Sequence, residues 1–220
     1  MMPVKICGIT SLKDAELAVN YSASAIGLIF YPDSLRYVDP AEVEQWIEQI
    51  PDSVKKVGVF VNEQIETIHN ITRQLRLDFI QVHGDESPKF CKEITQPVIK
   101  VFRVGDDFYA SVLNDYDVHA FLFDTYRKGK PGGTGNRFNW ELISNLKTEI
   151  PIILSGGLTS ENVLNGIEAV NPAALDVNTG VESDPGVKEE EKIKELFCVL
   201  EHSNSCNDPF GVIRGEIHDL

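Results

Sequence analysis

Basic residues are scarce in this chain: 20 Lys and Arg stand against 34 Asp and Glu, for a net charge of -14. Nucleic acids and anionic membrane surfaces are held by clustered Lys and Arg, so this balance argues against both as partners. Cysteine is sparse too. Cys7, Cys91, Cys198 and Cys206 are scattered, with no C-x-x-C pair and no His at ligand spacing, so no metal site is expected. A disulfide framework is not expected in so large a chain without a secretory signal. No apolar run approaches the ~18 residues of a membrane span, and no long apolar leader opens the chain. A soluble, cytoplasmic protein is the expectation. The first apolar run ends in C-G-I-T rather than G-x-G-x-x-G, so the dinucleotide-binding fingerprint is missing as well.

What is present is alternation. Apolar content of 42% with 25% charged residues is ordinary globular composition. Short β-rich apolar runs fall at 3–7, 25–30, 56–61, 78–82, 97–103, 119–124, 151–155 and 173–177. Amphipathic stretches lie between them, near 11–20, 40–50, 63–76, 86–95, 106–114, 139–148, 160–169 and 187–201. Helix starts are signalled by Ser11 with Asp14, by Asp39 before Pro40, and by Thr159 with Asn162. The strand runs are nearly continuously apolar, as in a parallel sheet buried on both faces. Eight βα units in about 200 residues predict a single (β/α)8 barrel over 1–201. A doubly wound open sheet usually has fewer strands. The polar, irregular stretch at 202–220 is read as a short C-terminal tail.

In such a barrel the site lies at the C-terminal ends of the strands. Six of the eight predicted ends carry a polar or reactive residue: Cys7, Arg36 (in FYPDSLRY), His83, Asp124, Ser155 and Asp176. The loops after strands 7 and 8 carry Gly156-Gly157 and Asn178-Thr179-Gly180. Glycines between strand and helix expose backbone N–H groups to an anion, and barrels usually hold phosphate there. A tight turn alone is the other reading. The second glycine cluster, GKPGGTG, lacks the phosphate-loop spacing and is read as a mobile lid.

Cys7 is open to two readings, a small core hydrophobe or a thiol at the mouth of a site. Asp124 closes the apolar run AFLF and would be desolvated there, the setting in which a carboxyl serves as general acid. A thiol and a carboxyl across one pocket supply base and acid with no cofactor or metal. His83 is a competing base, a binding residue or a structural histidine. Arg36 is either a planar fork for an anion or a solvated loop charge.

With those residues in place, the chain resembles the phosphoribosylanthranilate isomerase family. The motifs VKICGIT, GLIFYPDSLRYV, VGVFVN, QVHGDE, LFDTYRKGKPGGTG, ILSGGL and LDVNTGVE occur in family order over about residues 3–200. The resemblance implies a (β/α)8 barrel that isomerises an aminoaldose phosphate to a 1-amino-1-deoxyketose phosphate. It implies Cys7 as general base, which the site should ionise by lowering its pKa, and Asp124 as general acid. It further implies Arg36 on the anthranilate carboxylate, Asp176 near the sugar hydroxyls, and phosphate at Gly156-Gly157 and Gly180. Asn178 and Thr179 stand where the family more often has S-S and should still serve the phosphate. A small phosphorylated molecule is the expected partner, with the chain a monomer or homodimer. The sister isomerase of the imidazole pathway uses two aspartates and a second phosphate loop. Cys7 and the glycine-free turn V-N-E-Q after strand 3 argue against it. A catalytically silent phosphate-binding barrel is the remaining alternative.

Overall fold

The computed structural model describes residues 2–105, 108–125 and 139–201. The glycine-rich loop read as a lid and the tail at 202–220 therefore lie outside the described residues. Eight strands form a closed barrel in sequence order: β1 Val4–Cys7, β2 Ala25–Ile29, β3 Lys55–Phe60, β4 Phe79–Val82, β5 Val98–Val104, β6 Ala120–Thr125, β7 Ile152–Leu154 and β8 Ala174–Val177. All neighbours pair in parallel, and β1 closes the ring against β8 with Lys5 opposite Asp176. The eight predicted strands are found, each within a residue or two of its expected bounds.

Strand side chains alternate between two cores. One set, including Val57, Phe79, Ile99, Leu122 and Ile153, fills the barrel interior. The other, including Ile6, Ile26, Phe60, Ile80 and Phe121, packs outward against the helices. Burial on both faces is why the runs read as continuously apolar.

The outer ring comprises α1 Leu12–Asn20, α2 Pro40–Glu44, α3 Ile65–Leu75, α4 Pro88–Glu93, α5 Glu141–Ser144, α6 Val163–Val170 and α7 Glu190–Leu200. Ser11 caps α1 by accepting from the Asp14 N–H, and Asp39 caps α2 with Pro40 in the first turn. The expected helix at 40–50 is split, because Trp46 leaves the helical region before a 3-10 turn at Ile47–Gln49. The stretch expected to be helical near 106–114 is a 3-10 segment, Ala110–Asp115, and the one at 139–148 shrinks to a single turn. Thr159 does not cap α6. Asn162 stands at the cap, and its side chain turns back to accept from the Thr159 N–H and donate to the Gly157 carbonyl.

One element was not expected. Between β8 and α7 the chain makes a small antiparallel hairpin, β9 Glu182–Asp184 with β10 Val187–Lys188. Gly186, at a φ of +86°, makes the turn that sequence places after Asp184-Pro185. The last helix therefore begins at Glu190 rather than 187. No helix among the described residues is long and apolar enough to cross a membrane.

Candidate active site

The cysteine–glycine turn at the end of β1 has a specific packing reason. Gly8 adopts a φ of +71°, and a Cβ there would lie 2.7 Å from Asn178 Oδ1 and 2.8 Å from Arg36 Cδ. Only a residue without a side chain lets the loops after β2 and β8 converge beside Cys7. Gly27, opposite Cys7 on β2, plays the same part lower down. A Cβ at Gly27 would sit 2.7 Å from Lys5 Nζ and 2.8 Å from Cys7 Sγ.

Lys5 has no solvent exposure, and its ammonium donates to Asp176 Oδ1 at 2.6 Å. The other oxygen, Oδ2, accepts from Ser155 Oγ at 3.2 Å. Burial alone would pull the Lys5 ammonium down. Asp176 and the Cys7 sulfur together outweigh that cost, and the group is held above its ordinary value. Both oxygens of Asp176 thus have protein partners.

Cys7 is almost fully buried, and burial pushes its thiol up despite the lowering influence of Lys5 and Lys188. This corrects the expectation of a depressed thiol. Desolvation penalises the thiolate more than the neighbouring ammonium groups favour it, so the resting side chain is the neutral thiol.

Arg36 is not a solvated loop charge. It is buried, and its Nε and Nη2 grip Glu182 through contacts of 2.9, 3.1 and 2.6 Å. Lys188 Nζ donates to the same carboxylate at 2.9 Å and to Asn178 Oδ1 at 3.1 Å. Glu182 is held below its usual value: burial opposes its charge, but Arg36 and Lys188 prevail. The Lys188 ammonium is lowered by burial, against the pull of Glu182. The hairpin delivers both Glu182 and Lys188, and is itself tied to β1's side by Thr10 Oγ1 donating to the Gly186 carbonyl at 2.5 Å.

On the other side, Asp124 Oδ1 accepts from the Thr125 N–H at 2.7 Å. Its Oδ2 lies 3.3 Å from His83 Nε2, off the line of an aligned hydrogen bond. His83 Nδ1 lies 3.4 Å from Gln81 Nε2. His83 therefore accompanies the carboxyl and not the thiol. Ser155 and Gly156 link the two sides: Ser155 reaches Asp176, while a Cβ on Gly156 would press 3.2 Å from Asp124 Oδ1.

The loops after β7 and β8 come together as expected. Gly156 and Gly157 have φ values of +89° and +65°. Thr179 opens a 3-10 turn, and the Gly180 backbone packs so closely on the Leu158 carbonyl that no Cβ would fit. Asn178 turns toward Gly8 and Lys188.

Five contributors were missed from sequence: Lys5, Gly27, Ser155's bond to Asp176, Glu182 and Lys188. Lys5 did leave a signal, a lone cation inside a run that otherwise reads as buried strand. Lys100 on β5 carries the same mark and forms its own buried pair with Glu86 at 2.9 Å, and Gln81 on β4 is an uncharged polar residue in a like position.

Residues 4–199 match the family model described as N-(5'phosphoribosyl)anthranilate (PRA) isomerase. The N-(5'-phosphoribosyl)anthranilate isomerase of Geobacter metallireducens is 45% identical over 197 residues, covering 90% of this chain and 98% of that one. Among solved structures, the phosphoribosyl anthranilate isomerase of Thermus thermophilus superposes with a TM-score of 0.83 at 36% identity, covering 90% of this chain and 98% of that one. Another phosphoribosyl anthranilate isomerase, in complex with reduced 1-(o-carboxyphenylamino)-1-deoxyribulose 5-phosphate, superposes at 0.75 with 35% identity, covering 90% and 97%. With a closed eight-stranded barrel and a match over nearly the whole described chain, this protein belongs to the N-(5'-phosphoribosyl)anthranilate isomerase family.

Proposed function

We propose that this chain is a cytoplasmic, cofactor-independent isomerase of tryptophan biosynthesis. It converts N-(5-phosphoribosyl)anthranilate to 1-(2-carboxyphenylamino)-1-deoxyribulose 5-phosphate by an Amadori rearrangement. The observation that carries this reading is the connected arrangement of thiol and carboxyl, Cys7 at β1 and Asp124 at β6, tied through Ser155-Gly156 and Asp176.

Asp124, as general acid, gives a proton to the furanose ring oxygen as the C1′–O bond breaks and the anilino nitrogen supplies the electron pair. The product of that step is the protonated Schiff base. Cys7, as thiolate, removes the C2′ proton, and the electrons flow into the iminium to leave an enolamine. Tautomerisation of the enolamine gives the ketone. Cys7 rests as the thiol and releases its proton to solvent before it acts as base, with Lys5 and Lys188 reducing the cost that burial puts on the anion. The anthranilate carboxylate falls to Arg36, whose five donors exceed those used on the edge facing Glu182. The phosphate is held by backbone N–H groups around Gly156, Gly157, Thr179 and Gly180, with Asn178 shaping the loop. Asp176 and His83 face the sugar, Asp176 from its place between Lys5 and Ser155 and His83 from beside the acid.

The direct test is to generate phosphoribosylanthranilate in situ and follow its fluorescence. Purified protein should quench the signal at a rate proportional to enzyme. A persistent signal with folded protein would leave the silent phosphate-binding barrel as the better reading.

A further inference from the structure

We infer that Lys5 is the positioning residue of the base: held by Asp176 and pressed against Cys7 over the bare backbone of Gly27, it favours the thiolate against the burial of the site. The inference rests on the reading of Cys7 as the base. A lysine wholly buried in the wall of a barrel is costly unless paired, and one carboxylate contact at 2.6 Å satisfies it. Charge neutralisation alone does not explain the rest of the arrangement. The strand beside β1 carries glycine at the one point where the ammonium and the thiol would both collide with a Cβ. Asp176 is in turn oriented by Ser155, so the ammonium is fixed from behind by two strands. The chain Ser155–Asp176–Lys5 ends at Cys7.

The groups facing the thiol can be named element by element. β1 itself offers Lys5, β2 offers only Gly27, β8 offers Asp176, and β10 offers Lys188. Glu182 and Arg36 stand behind Lys188 and neutralise each other. Lys5 and Lys188 favour the thiolate and Asp176 disfavours it. Lys188 shares its ammonium among Glu182 and Asn178, and Lys5 shares its own with Asp176, but Lys5 Nζ and Cys7 Sγ both lie within 2.8 Å of the Cβ position over Gly27. Loss of Lys5 removes the nearer positive charge and leaves Asp176, so the thiol midpoint must rise.

The test is the pH dependence of Cys7 alkylation by iodoacetamide in the full chain without substrate, with the Cys7 peptide quantified by mass spectrometry. An opposite charge at this range typically moves a pKa by 1–3 units. Lys5→Met should therefore raise the alkylation midpoint by about one pH unit or more and slow alkylation at pH 8 by about tenfold or more. Gly27→Ala, which keeps every charge and wedges a methyl between ammonium and thiol, should move the midpoint the same way. A Lys5→Met midpoint unchanged from wild type in folded protein overturns the inference. If Lys5→Met does not fold, an unchanged midpoint in Gly27→Ala overturns it. The titration needs no turnover, so it fails independently of the isomerase assay.

Discussion

Asp124 and His83 meet at the barrel mouth from strands two apart, with Oδ2 3.3 Å from Nε2 while Oδ1 is anchored on the Thr125 N–H at 2.7 Å. One oxygen is thus fixed to backbone and the other is turned toward the imidazole. Gly156 backs Asp124 and Thr125, where a Cβ would collide with Thr125 and crowd Asp124 Oδ1 at 3.2 Å. The carboxyl is anchored by the Thr125 N–H on β6, with His83 just past β4 and Gly156 just past β7 on either side.

Asp124→Asn preserves the Thr125 contact but cannot deliver an acidic proton. The kcat should fall by ~10²–10⁴-fold, the usual scale of general acid catalysis, with little change in KM. Steady-state kinetics on the fluorescence assay checks this. Wild-type turnover in the Asn variant would remove Asp124 from the mechanism.

Cys7→Ser replaces the thiol with a far weaker acid in a site that already penalises the anion. Its kcat should drop at least as far, while binding of the reduced product analogue, measured by calorimetry, stays within a few-fold of wild type. Turnover close to wild type would move the base elsewhere, with His83 the next residue to test.

Gly157→Ala adds a methyl at a φ of +65°, where an L-residue costs ~1–2 kcal/mol. The added group stands in the loop whose N–H groups are assigned to the phosphate. KM should rise more than kcat falls, and competitive inhibition by inorganic phosphate should weaken in parallel. Thermal unfolding of the variant separates this from loss of fold. Inhibition equal to wild type with a well-folded variant would displace the phosphate site from these loops.

Glu182 provides a test of pH and stability together. Its folded-state pKa is lowered, so its contribution is present above the unfolded value of ~4.3 and is lost as pH falls through the folded value. Glu182→Gln leaves Arg36 and Lys188 without their anion and should cost on the order of 3 kcal/mol at pH 7. The gap between variant and wild type should close progressively below about pH 4. Urea unfolding across that range decides the matter. A gap that stays constant with pH would show that the carboxylate's charge is not what stabilises the hairpin.

Much of this molecule is local in origin. A strand buried on both faces must be apolar throughout, and a βα turn needs glycine or a cap, so VGVFV, AFLF and ILSGG declare themselves within a few residues. Cys7, Asp124 and the paired glycines stand at strand ends, where alternation alone indicates the mouth. The 3-10 segment at Ala110–Asp115 and the hairpin after β8 were hidden for the opposite reason, since each is too short to carry a period.

What only the tertiary structure decided is how the charges meet. Lys5 and Asp176 are 171 residues apart, and Arg36 and Glu182 are 146 apart. No local pattern pairs them. They meet because barrel closure lays β1 on β8 and the hairpin folds back over that seam, placing Glu182 and Lys188 beside Arg36 and the thiol. The state of Cys7 follows from the same closure. Sequence shows a thiol at a strand end, but its ionisation depends on how much water is excluded and which ammonium groups stand near, and those are properties of the assembled barrel.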